Sequence, residues 1–96
     1  MKLVITEQAL EWFQNEMALK SGDGVRFYGK TYGTTNVHQG FSVALSRDAE
    51  PLDPIVLVRQ AGIMFYINER DEWLFHDYDL TVDVQNTEDG PVYKFT

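Results

Sequence analysis

The chain has 96 residues, 44% hydrophobic and 14% aromatic, which suits one domain over residues 1–96 with a real core and excludes a disordered segment. A formal charge of −7, with the eight Lys and Arg dispersed, excludes a binder of nucleic acid or of an anionic membrane, because no basic run is present to meet phosphates. The absence of cysteine removes disulfides, thiolate metal ligands and thiol nucleophiles together.

Lys2 to Ile5 is short and β-branched and reads as a first strand. Thr6 follows as an N-cap, with Glu7 placed to complement the helix dipole. The helix carries Leu10, Phe13 and Met17 at helical spacing, joined by Ala9 and Trp12, with Glu7, Glu11, Gln14 and Asn15 facing away, so the stripe is expected to lie on a sheet. Lys20, Gly22 and Gly24 supply its stop. Glu7 and Glu11 interrupt any signal-peptide run, and no stretch approaches a membrane span, so the protein is expected in the cytoplasm.

Val25, Phe27 and Gly29 alternate with Arg26 and Tyr28, and Phe41, Val43 and Leu45 alternate with Ser42, Ala44 and Ser46, the period of half-buried strands. Between them the loop from Gly29 to Gly40 holds Gly33 together with Thr31, Thr34, Thr35 and Asn36. A long connection of turn-forming residues on a rigid scaffold is where sites are carried. Tyr32, Gly33, Thr34, Asn36 and His38 are its candidate binding residues, combining an amphipathic ring with compact donors and acceptors.

Arg47 to Pro54 is a loop, and Ile55 to Arg59 and Ile63 to Ile67 form a tight hairpin about Gln60, Ala61 and Gly62. Asn68 is an N-cap candidate with Asp71 in the capping-box position, opening a turn or two through Trp73, Leu74 and Phe75. Leu80, Val82 and Val84 alternate with Thr81, Asp83 and Gln85, and Val92 to Phe95 closes the chain after a turn at Asp89, Gly90 and Pro91. The pattern is mainly β with one N-terminal helix, about seven short strands in an antiparallel sandwich or strongly twisted partial barrel.

Chemistry is sparse. Ser42 or Ser46 could meet His38 and a carboxylate, but no Gly-x-Ser-x-Gly elbow presents either serine, and neither a P-loop nor a dinucleotide fingerprint occurs. The expectation is a protein without enzymatic activity and without a cofactor, and a small enzyme is the remote alternative. Glu69, Asp71, Glu72, Asp77, Asp79 and Asp83 crowd one stretch, readable as a solvated face or a docking patch for a basic partner. No metal is expected; the alternative is a weakly held divalent ion on His76, Asp77 and Asp79.

The Thr-Glu-x-Ala-Leu helix start at Thr6 to Leu10, the Val-Arg-Phe strand running into a Gly-rich loop at Val25 to Gly33, the Phe-Ser-Val-Ala-Leu strand and the Leu-Thr-Val-Asp-Val segment at Leu80 to Val84 occur in an order that resembles the HesB-like family. That family includes the A-type iron–sulfur cluster carriers, and the resemblance runs from Leu3 to Phe95. In the carriers, a cysteine in the loop after the second strand and a terminal Cys-Gly-Cys hold iron or a cluster. Here Thr34 stands where the first cysteine would be and the chain stops at Thr96, so the cluster function does not carry over. The resemblance implies a cysteine-less stand-alone branch of the family, and the loop residues add the expectation of a binding or accessory protein that uses the exposed loop from Gly29 to Gly40 as its recognition surface.

Overall fold

A computed structural model describes all 96 residues. The chain forms β1 (Leu3–Ile5), α1 (Glu7–Glu16), β2 (Gly24–Lys30), β3 (Ser42–Arg47), β4 (Pro54–Gln60), β5 (Ile63–Asn68), a tight helical turn (Glu69–Asp71), α2 (Glu72–Phe75), β6 (Leu80–Val84) and β7 (Pro91–Phe95). Seven strands divide into two sheets, β1-β6-β7 and β3-β2-β5-β4, and do not close into a barrel. The hairpins β2–β3, β4–β5 and β6–β7 are antiparallel, as the turn residues require. Two pairings are parallel, β1 with β6 and β2 with β5, so both sheets are mixed rather than purely antiparallel.

Thr6 caps α1 as expected, accepting the Ala9 amide at 3.1 Å. The helix ends at Glu16, a turn short of the glycines, and Ala18 takes the left-handed φ of 52° that reverses the chain. Its buried face is centred on Ala9 and Phe13, with Leu10, Trp12 and Met17 at the margin. Phe13 meets Phe27 of β2 and Phe65 of β5, and Leu80, Val82 and Phe95 complete the layer from the smaller sheet. The core therefore lies where α1 and the inner faces of both sheets converge.

Asn68 does not act as an N-cap through its side chain; its Oδ1 accepts the Leu52 amide at 3.1 Å and pins the β3–β4 loop. Asp71 is likewise drawn away from a capping box. It takes the Arg26 guanidinium in a bidentate pair, with Nε to Oδ2 at 3.0 Å and Nη2 to Oδ2 at 2.8 Å, because a full charge partner outweighs a cap.

Tyr66 is buried and donates to the Asp48 main-chain carbonyl at 2.9 Å; burial pushes its phenol up to about 12, and the neighbouring Asp48 carboxylate adds to the shift. Burial raises Tyr93 as well. In the unfolded chain a phenol ionises near ~10, so above that pH the unfolded state binds fewer protons than the folded one and stability falls as pH rises towards about 12. An alkaline titration followed by tyrosinate absorbance is expected to show these two of the five tyrosines ionising late, together with unfolding. Simultaneous ionisation of all five with the fold intact contradicts this.

Candidate functional site

The connection between β2 and β3 is itself a small hairpin. Gly40 N donates to Gly33 O at 2.8 Å, Thr34 bridges Gln39, and Thr35 N donates to His38 O at 3.0 Å, which leaves Asn36 and Val37 at the tip. Thr35 Oγ1 accepts from the amides of Val37 and His38, and its proton is left for His38 Nδ1 at 2.8 Å. Gly33 sits at φ +88°, and a Cβ there would lie 2.6 Å from Ser42 Oγ, so the crossing of the two strands requires glycine.

This hairpin is bound to the end of the smaller sheet. Asp79 and Thr96 exchange both main-chain bonds, at 3.0 Å each, so by antiparallel alternation the N–H and C=O of Phe95 face outward from β7. The Asn36 amide takes both: Nδ2 donates to Phe95 O at 2.7 Å and Oδ1 accepts Phe95 N at 2.9 Å. One side chain thus does the work of an additional strand. His38 lies edge-on to Phe95 and Tyr78, with ring centroids 4.9 and 5.6 Å away. Replacing Asn36 by Ala is expected to cost about 1–2 kcal/mol and to speed hydrogen exchange at the Phe95 amide selectively. Unchanged protection there would mean that the amide clasp does not persist in solution.

The five loop residues chosen from sequence therefore separate into three groups. Asn36 and His38 turn inward onto Phe95, Gly33 is a backbone requirement, and Tyr32 and Thr34 stand in solvent, Tyr32 at 67% exposure with Lys30 over its ring. Two residues missed from sequence lie close by. Trp73 of α2 rests on Gly29, where a Cβ would meet its ring at 2.6 Å, and Phe41 stands edge-on to it at 5.4 Å. Both are exposed, at 49% and 38%. Trp73 is thus seated in a glycine notch yet open to water, and no local sequence signal links positions 29, 41 and 73.

His76, Asp77 and Asp79 do not assemble into a metal site. His76 reaches Glu72 at 3.1 Å and Asp77 at 3.3 Å, while Asp79 Oδ1 accepts the Lys2 amide at 2.7 Å, so the third carboxylate is engaged on the neighbouring strand. Glu72, His76 and Asp77 touch one another, and no three such side chains are arranged to hold a metal ion. Nor do the residues of the serine reading meet: Ser42 Oγ donates to Tyr32 O, and His38 Nδ1 faces Thr35. No surface depression is lined by Tyr32, Thr34, Asn36 or His38.

No protein-family model matches the chain. A Bacillus subtilis protein named pyruvate dehydrogenase inhibitor is 40% identical over 95 residues, covering 99% of each chain. The chain belongs to the family of that protein. An uncharacterized protein of Staphylococcus epidermidis, 36% identical over 96 residues and covering 98% of both chains, belongs with it. Among solved structures, Escherichia coli SufA, involved in biosynthesis of iron–sulfur clusters, superimposes with a TM-score of 0.60 at 20% identity, covering 99% of this chain and 79% of its own. IscA with its 2Fe–2S cluster gives a TM-score of 0.59 at 16% identity, covering 98% and 83%. These two likenesses establish the carrier fold expected of a HesB-like chain, and they concern the scaffold alone. With no cysteine, that scaffold offers no thiolate for a cluster. No helix is long and apolar enough to cross a membrane.

Proposed function

We propose that the chain is a protein inhibitor that acts by contact and not by catalysis, and that its target is a pyruvate dehydrogenase enzyme. The observation that carries this reading is the 40% identity, over 99% of both chains, to the relative that bears that name. The surface supports it. Tyr32, Phe41 and Trp73 are exposed aromatic rings beside a loop with no concavity suited to a small ligand, and such rings are the residue types that dominate protein interfaces. The contact surface is the solvent side of the loop from Gly29 to Gly40, through Tyr32 and Thr34, continued by Phe41 and Trp73. Asn36 and His38 hold that surface in place from behind.

The test is the steady-state rate of purified pyruvate dehydrogenase with increasing amounts of the protein. The wild type is expected to inhibit saturably, and the Tyr32→Ala, Trp73→Ala double variant to lose at least about tenfold in potency with an unchanged melting curve, as for two interface anchors. A control altered at Asp77, Asp79 and Asp83 is expected to keep its potency. A rate unaffected by a large molar excess of the wild type overturns the assignment of target. Loss of potency in the acidic variant alone moves the contact surface to the acidic stretch.

A further inference from the structure

A sheet of separate strands has edges, and natural proteins protect them. Three of the four edges here carry a recognisable device. β7 begins with Pro91, which has no N–H, and ends in the Asn36 amide clasp. β1 has three residues, and the outward carbonyl of Ile5 accepts from Gln60 Nε2 at 3.1 Å. β4 starts at Pro54 with an irregular register beside it, and through Gln60 it meets the edge of β1.

β3, Ser42–Arg47, has none of these. It contains no proline, bulge, lysine or carboxylate, and its one neighbour in the sheet is β2. Asp48 N donates to Gly24 O at 3.0 Å, so along the ladder Ser46, Ala44 and Ser42 bond to β2, and the N–H and C=O of Val43 and Leu45 point away from it. No other element supplies a hydrogen bond to them.

We propose that a second copy of this chain pairs on that edge, β3 antiparallel to β3 about a twofold axis at Ala44, joining the two four-stranded sheets into one. The side chains favour this occupant because the strand is complementary to itself in that register. Val43 of one copy lies opposite Leu45 of the other on the inner face, where both are apolar. Ala44 meets Ala44 and Ser42 meets Ser46 on the outer face, where all are small enough for close approach. Phe41 falls opposite Arg47, whose guanidinium lies on the Met17 carbonyl and near Asp23 of its own chain. The −7 charge does not oppose the contact locally, since β3 carries one arginine and no acid. The inference does not rest on the inhibitor reading, although the paired edge and the inhibitor surface share Phe41.

Sedimentation velocity over a series from low micromolar to millimolar concentration is expected to show the wild type approaching twice the 11.1 kDa chain mass. Ala44→Lys, which sets two like charges against each other on the axis, is expected to remain a monomer at every concentration with an unchanged circular dichroism spectrum. Because the chain has no cysteine, Ala44→Cys provides a direct probe of the register: a non-hydrogen-bonded antiparallel pair brings the two Cβ atoms close enough for a disulfide. Mild oxidation is expected to convert Ala44→Cys to a covalent dimer that reductant reverses, and to leave Glu88→Cys monomeric. A wild type that stays at the chain mass throughout overturns the proposal. So does a dimer that survives Ala44→Lys, which would use another face, and so does an Ala44→Cys variant that crosslinks no faster than the Glu88→Cys control.

Discussion

Phe13→Ala is expected to destabilise the protein by about 3–5 kcal/mol, a large share of the ~5–15 kcal/mol that holds a domain of this size folded. The ring is fully buried and lies 5.2 Å from Phe65 and 6.3 Å from Phe27, so its removal empties the point where α1 meets the larger sheet. Collapse cannot refill the space, because Phe27 and Phe65 sit on paired strands and Trp12, at 5.3 Å, is tethered by its Nε1 to the Thr87 carbonyl at 3.0 Å. Urea denaturation should show the midpoint falling with an unchanged m-value, while Gln14→Ala on the exposed side of the helix shifts it by no more than about 0.5 kcal/mol. A Phe13→Ala midpoint equal to the wild type would place the docking face elsewhere on α1.

The second large effect is expected at Asp71. Its carboxylate and the Arg26 guanidinium share three short hydrogen bonds, and the side chains are only 9% and 16% exposed. Removing one partner of such a pair costs more than the pair contributes, because the other charge is left desolvated without a counter-ion. Arg26 keeps some water and rests on the Tyr28 ring at 4.8 Å, so the loss for Asp71→Ala is placed at about 2–3 kcal/mol, below the range for a fully buried pair. Replacing both partners with apolar residues, Arg26→Met with Asp71→Leu, is expected to recover part of that loss. A double variant as unstable as Asp71→Ala alone would show that the aspartate matters for a reason other than Arg26.

What the structure adds to the candidate site is a division of labour within one loop. Asn36 and His38 have the residue types of a recognition surface, and in the fold they bind this chain's own Phe95. Tyr32 and Thr34 keep their outward face because the clasp behind them fixes the loop. Loop and C-terminal strand meet at this clasp, which joins positions 36 and 95.

Local chemistry by itself determined a good deal. The alternation of Val25 with Phe27, of Val43 with Leu45 and of Leu80 with Val82 marked the strands and their buried faces, since a side chain's face follows from its parity. Thr6 marked the start of α1, since an N-cap acts within three residues of itself. The absence of cysteine ruled out thiolate ligation with no structure at all. Periodicity says which side of a strand is apolar but not which strand lies next to it, so the parallel pairings of β1 with β6 and β2 with β5 emerged only from the fold. The same holds for Asn36 on Phe95, for Asp71 on Arg26 and for Trp73 over Gly29. Each of these depends on two residues 44 to 59 positions apart meeting at a distance that the packing of the whole chain sets, and local pattern carries no information about that distance.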